Sequence, residues 1–437
     1  MPERGAAACS DPGPGRRGDS PPQGAGEHAL AERSVLIVAF HFPPVAGSSG
    51  LHRVVSMARE LLRAGCRVHV LSVSLNCYAR VDEANLAHLP EGVVVHRAPA
   101  FDSVRTLSVR RRYPAFFKVP DPYQSWIVSG TALGLWLVRR HRIGWVLSSY
   151  PFASAHCIGD FVSRWSRARW IADFRDPMAQ PGYPPVAAQY RAFLWVEQRA
   201  VARADLLTFA TDGARDYYLG RFAALAPARA MTISNGYDET LFEGLDAGPA
   251  QQQPKVLLHS GALYPSERDP RQLLDALADL QEALLAGGFV VRLRATGHDT
   301  VVRAQIRERG LERLVEVAPL VSNRDALAEM MQAYCLLVLQ AENCNDQIPA
   351  KIYEYLRSGR PIACLAHPDG ETHRALQDQP GCWCAPLDDR AAIRERLAML
   401  CLEEDLSHYQ RPAAAVARFE RGAQTRALIR WLDARGR

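Results

Sequence analysis

In NDQIPAKIYEYLRSGRPIACLA, residues 345–366, a lysine and two carboxylates are spaced around the start of a short helix. Pro349 suits a first helical position, Ile352, Tyr355 and Leu356 make an apolar stripe, and Gly359 with Pro361 ends the helix. A helix start offers unpaired backbone N–H groups and the positive end of the dipole, a combination that favours an anion such as a diphosphate. Lys351 adds a mobile positive charge. Glu354, one turn on, is an acceptor-only group suited to a pair of vicinal hydroxyls. The competing reading is a solvated i,i+3 Lys–Glu pair, which contributes only about 0.2–0.5 kcal/mol.

Three further stretches place polar groups after apolar runs. WIADFRDPM, 170–178, brings Asp173, Arg175 and Asp176 to the exit of a strand. The two aspartates are too irregularly placed for a paired-carboxylate metal site, and the alternative is a buried Arg–Asp network bracing the loop. FHFPPVAGSSGLHR holds Gly47, Ser48, Ser49 and Gly50, where small residues let the backbone approach a phosphate or an acceptor. LLHSGALYPSERDP carries Gly261 and Arg268; the guanidinium either meets a diphosphate or pairs with Glu267 or Asp269. His156, and Trp195, Glu197 and Arg199 on a long helix, read as packing and surface residues.

The elements that must position these groups alternate. SVLIVAF (34–40), CRVHVLSVS (66–74), GVVVHRA (92–98), WVLSSY (145–150), RWIADF (169–174), DLLTFAT (205–211) and AMTISNG (230–236) are strand candidates. GLDAGPAQQQP, 244–254, breaks the composition as a linker does. Strands then resume at KVLLHSG (255–261), FVVRLRATG (289–297), LVEVAPL and CLLVLQ. This predicts an α/β protein of two Rossmann-like, doubly wound domains, 33–243 and 255–405, facing across a cleft, with a helix in 406–437 packing back toward the first. Ligands of such sheets bind beyond the carboxyl ends of the strands.

Composition narrows the class. The 437 residues are 48% hydrophobic and 23% charged, with a net charge of +5, which argues against a dedicated nucleic-acid binder. The cysteines show no CxxC spacing, and the CWC at 382–384 is too tight for a zinc pair; they read as reduced thiols of a cytosolic protein. Residues 1–32, rich in Pro, Gly and charge, read as a disordered tail, and no apolar run reaches the roughly 18 residues that span a bilayer. The basic-aromatic segment 104–118 reads as a solvated loop or as a peripheral contact with an anionic membrane face.

NDQIPAKIYEYLRSGRPI resembles the donor-binding signature of GT-B glycosyltransferases, in particular retaining family 4. Asp346 and Glu354 have that signature's spacing, with Asp in place of the usual first Glu, and the resemblance extends over residues 34–376. It implies that Glu354 grips the donor ribose, that Asp346 or its backbone faces the transferred sugar, and that Arg268 and Lys351 neutralise the diphosphate. It implies that residues 170–178 face the reaction centre and that NGYD, 235–238, is the hinge turn. The expected activity is transfer of a sugar from a nucleoside diphosphate sugar (NDP-sugar) to a glycan, lipid-linked or small-molecule acceptor, with retention and with neither metal nor further cofactor. A nucleotide-sugar 2-epimerase of the same fold and a non-catalytic sugar-binding relative remain alternatives.

Overall fold

The computed structural model describes residues 33–45, 49–107, 118–245, 254–402 and 411–435. The tail 1–32, Gly47, Ser48 and most of the 104–118 and 244–254 segments lie outside the described residues. Seven parallel strands form one sheet: β1 (Ser34–Ala39), β2 (Arg67–Val73), β3 (Val94–Ala98), β4 (Trp145–Ser149), β5 (Arg169–Arg175), β6 (Leu206–Phe209) and β7 (Ala230–Thr232). Their order is β3-β2-β1-β4-β5-β6-β7. Six form the second: β8 (Lys255–Ser260), β9 (Phe289–Arg294), β10 (Val315–Ala318), β11 (Cys335–Gln340), β12 (Ile362–Ala366) and β13 (Cys382–Ala385), ordered β10-β9-β8-β11-β12-β13. Every residue of β1 and β11 is buried, because helices cover both faces of each sheet; hence their unbroken apolar runs. Strand order reverses at β1/β4 and at β8/β11, so each lobe has a crevice at the carboxyl ends of those strands.

Two elements were not legible in the sequence. Strand β13 is only CWCA, too short to show a period, and its registry with β12 (Cys364 beside Cys384) makes it a strand. The helix Gln124–His141 lies where the sequence pattern weakens, because part of its packing face is glycine. A Cβ on Gly130 would overlap Ile158, and one on Gly134 would crowd Val162. Glycine removes the side chain that a periodicity reading looks for, while allowing two helix backbones to approach closely.

The chain returns to the first lobe at its end. In the helix Arg421–Arg435, Leu428, Trp431 and Leu432 join the first lobe's core, and the Trp431 ring sits 5.6 Å from that of Trp145. Tyr237 N donates to Phe419 O and Arg421 N to Tyr237 O, so two strand-like crossings run side by side at the turn 235–238. Gly236 there has φ +60, a backbone setting that only glycine adopts cheaply.

Burial holds four first-lobe histidines neutral. His52, His69 and His156 are each lowered to about 4, mainly by desolvation, as is His41, where the Arg175 charge adds to the effect. Their folded values lie below the unfolded 6.5, so the unfolded chain binds more protons between those limits. Stability from these groups is therefore full above pH 6.5 and falls as pH drops from 6.5 toward 4. Denaturant midpoints measured from pH 7.5 to 4.5 should be flat and then decline; a level midpoint down to pH 4.5 would contradict this.

Candidate active site

The helix of the opening stretch spans Lys351–Ser358, two residues later than Pro349 suggested, because Ala350 occupies the cap position. It ends at Gly359 with φ +74, the left-handed closure expected. Ile352, Tyr355 and Leu356 are buried as the stripe required, and Tyr353 joins them. Its start meets the exit of β8. A Cβ on Gly261 would overlap Lys351 Nζ, so the ammonium rests directly on that glycine, whose φ is +128. The Tyr355 hydroxyl accepts Ser260 N at 2.9 Å and fixes the two segments together.

Lys351 Nζ is buried and has no hydrogen-bond partner. Its pKa falls to about 7, first through desolvation, then through the neighbouring Arg268 charge, with Glu354 acting in the opposite sense. Arg268 donates to Ala262 O at 3.3 Å and lies over the Tyr264 ring, with its Nε unpartnered. It does not pair with Asp269, which holds Arg271 instead. Among the described residues, these two adjoining cations thus lack a carboxylate within ion-pair distance. Glu354 lies a turn further along the helix, its carboxyl pushed up by burial and held back by Arg421 and Lys351. Gly261→Ala forces Lys351 aside and should abolish function while the protein still folds; activity beside a thermal melt checks this.

Asp346 is exposed in the loop before this helix, and its carbonyl oxygen accepts Thr211 Oγ1 from the opposite lobe at 3.1 Å. Across the same gap a Cβ on Gly213 would collide with the Glu371 carboxylate. The lobes therefore touch beside the loop that carries Asp346.

The first lobe's contribution differs from expectation at three positions. Asp173 does not emerge toward the cleft. It is fully buried, accepting Arg53 Nη2 at 2.7 Å, Arg53 Nε at 3.1 Å, Ser149 Oγ at 2.8 Å and Thr208 Oγ1 at 2.7 Å. Four donors saturate it, so it braces the strand exits and cannot serve a substrate. Arg53 also donates to Ile233 O at 2.6 Å, tying β5 to the approach of the 235–238 turn. Gly50 belongs to the first turn of helix Ser49–Arg63, not to a loop, which places Ser49 at the helix start. Glu197 is a buried hub, not a surface residue: it accepts Met178 N, Ala179 N and Tyr218 OH and holds the loop after Asp176.

Arg175 and Asp176 do reach partial exposure at the β5 exit. Arg175 has φ +63, an outlier for a residue with a side chain, at a register shift between β5 and β6. Its Nη1 donates to Tyr150 O at 3.3 Å, and its Nε is buried without a partner. Burial raises the Asp176 carboxyl, against the pull of Arg175. His41 lies close enough to Arg175 for that charge to act on its ring. Arg53, Arg421, Thr211 and His41 were missed; for Arg53 a signal existed, a charged residue inside an apolar helical stripe alongside an aspartate in a buried strand.

Residues 50–236 match the family described as Glycosyl transferase 4-like domain. No curated protein matches the chain in sequence. Among solved structures, a glycosyltransferase from Rickettsia africae ESF-5 superposes with TM-score 0.65 at 10% identity, covering 92% of this chain and 98% of that one. Anabaena Alr3699/HepE in complex with UDP-glucose gives 0.61 at 14% identity, covering 92% and 99%. A putative UDP-N-acetylglucosamine 2-epimerase from Listeria monocytogenes gives 0.57 at 10%, covering 91% and 94%. At such identities the superpositions show the two-lobed GT-B fold, and within it the first lobe, residues 50–236, matches a Glycosyl transferase 4-like domain.

Proposed function

We propose that the protein transfers a sugar, with retention, from a nucleoside diphosphate donor held between the lobes to a glycan, lipid-linked or small-molecule acceptor. One observation carries this reading: Lys351, resting on Gly261, and the adjoining Arg268 have no carboxylate partner among the described residues. Like charges brought together out of water are costly unless an anion joins them, and a diphosphate is an anion of matching charge. Glu354 takes the ribose hydroxyls, and the Asp346 loop faces the sugar. As the glycosidic bond breaks, negative charge grows on the departing diphosphate, and the two cations hold that charge more tightly in the transition state than in the ground state. This supports a reaction without metal: the cations supply the positive charge, while Asp173, consumed by Arg53, cannot form a ligand pair with Asp176.

Arg175, Asp176 and His41 form the acceptor side, with Asp176 poised by its raised pKa to accept and return a proton. A cell-envelope or exported polysaccharide is the expected product class, on the ground of the resemblance. Contact with an anionic membrane surface is supported by sequence flanking the 104–118 segment. Residues 122–159 contain no acidic residue, and Trp136 and Trp165 are about half exposed beside Arg139. Among the described residues no helix is long and apolar enough to cross a membrane.

Thermal-shift screening against UDP-, GDP- and ADP-sugars, followed by NMR of the products, tests the reading. The expected outcome is a stabilising donor whose sugar is transferred, or slowly hydrolysed, in a Glu354-dependent manner. Release of a free epimerised nucleotide sugar, or binding without turnover, would overturn it.

A further inference from the structure

A second cavity, of about 510 Å³, opens in the C-terminal lobe beyond the carboxyl ends of β11 and β12. Neither Gly261, Arg268, Lys351 nor Glu354 lines it. Its wall and the donor crevice share the segment that leaves β8. That segment is pinned over the β11 exit, where Ala341 N donates to Glu267 O at 2.8 Å and Asn343 Nδ2 to Ser266 O at 3.0 Å.

The charges in this cavity do not balance. Asp269 is matched by Arg271, and Asp275 by Arg309 at 2.6 Å. Glu342 and Asp388, which also line it, have no cationic partner among the described residues. His367 Nδ1 is turned to Asp369, whose backbone N donates to it at 3.2 Å, and not to Glu342 or Asp388. The floor carries an independent signal. Gln340 is 2% exposed; its Nε2 donates to Cys344 O at 3.2 Å, and its Oε1 has no donor. A buried carbonyl without a partner loses its solvation and regains nothing, so this position calls for a ligand that donates.

We infer that this cavity binds a small organic cation bearing a primary ammonium group. The ammonium supplies the hydrogen that Gln340 Oε1 lacks and the charge that Glu342 and Asp388 leave unmatched. An anion is repelled by the same two carboxylates, and a bare metal ion is disfavoured because no three metal-ligating side chains are grouped there among the described residues. A volume near 510 Å³ falls in the usual range for small-molecule pockets and takes a diamine or a single amino sugar. The inference does not depend on the proposed donor site.

Three probes decide it: putrescine, glucosamine and glucose, each at about 10 mM, followed by thermal melting of the full chain. Putrescine or glucosamine should raise the midpoint by about 2 °C or more, and glucose should not; which amine is stronger separates a polyamine from an amino-sugar ligand. The shift should fall at least about threefold in E342Q/D388N, whose exposed substitutions leave the core intact, and should persist in Lys351→Met. Gln340→Met removes the floor acceptor at similar volume and should also weaken it. Four results would each overturn the assignment: no shift with either amine, an equal shift with glucose, an undiminished shift in E342Q/D388N, or loss of the shift in Lys351→Met.

Discussion

Lys351→Met should lower kcat/KM by about two orders of magnitude and leave the fold at least as stable as the wild type. The first half follows from charge. Removing one preorganised cation from a departing diphosphate forfeits about 2.7 kcal/mol of transition-state stabilisation, a hundredfold in rate. The second half follows from burial. Lys351 Nζ has no partner and faces Arg268, so its charge burdens the folded state, and methionine keeps the volume without the charge. The pH dependence works out in the same direction. The folded pKa is about 7 and the unfolded value 10.5, so the unfolded chain binds more protons between them. The burden is full below pH 7 and is relieved as pH rises toward 10.5. Donor capture needs the ammonium, so affinity for a nucleoside diphosphate should fall as pH rises above 7. Isothermal titration with UDP and GDP at pH 6.5 and 8.5, on wild type and Lys351→Met, measures this. A variant that keeps wild-type turnover, or that melts well below it, would remove Lys351 from the site. Glu354→Ala should cost turnover comparably, through the ribose.

Asp173→Ala should instead destroy stability. It strands the Arg53 guanidinium in the core and leaves Ser149 and Thr208 without their acceptor. Breaking a buried ion pair from one side costs about 3–5 kcal/mol, because the remaining charge is uncompensated. The midpoint should drop by about 10 °C or more, with Asp173→Asn intermediate because the amide keeps one acceptor oxygen. A catalytic carboxylate behaves in the opposite way, losing rate while keeping its melting point. An inactive Asp173→Ala variant with an unchanged melt would return this residue to the reaction centre. The same measurement on Asp176→Asn provides the contrast: activity should fall while the melt stays within a few degrees, since Asp176 is only partly exposed and accepts no comparable set of donors.

The two kinds of carboxylate in DFRDP illustrate what local reading gives and where it stops. Both aspartates lie at the end of a buried strand, and both are within two residues of Arg175. Their fates diverge because β5 is still paired at Asp173, beside Ser149 and Thr208, and only turns away at the register shift that follows. Which donors lie beside Asp173 depends on neighbouring strands and on Arg53, 120 positions earlier in the chain. No spacing rule carries that information.

Local periodicity, capping glycines and prolines were enough to specify the alternation of strands and helices, the two doubly wound lobes, and the helix that presents Lys351 and Glu354. The apolar runs of β1 and β11 could only be buried on both faces. Only the packing of distant elements brings Lys351 onto Gly261, sets Arg53 against Asp173, makes CWCA the last strand of the second sheet, and returns Arg421 to the 235–238 turn beside Glu354. Each of these is a meeting of residues far apart in the chain, fixed by the packing of whole elements. Partners chosen in that way leave no trace in the spacing of either residue.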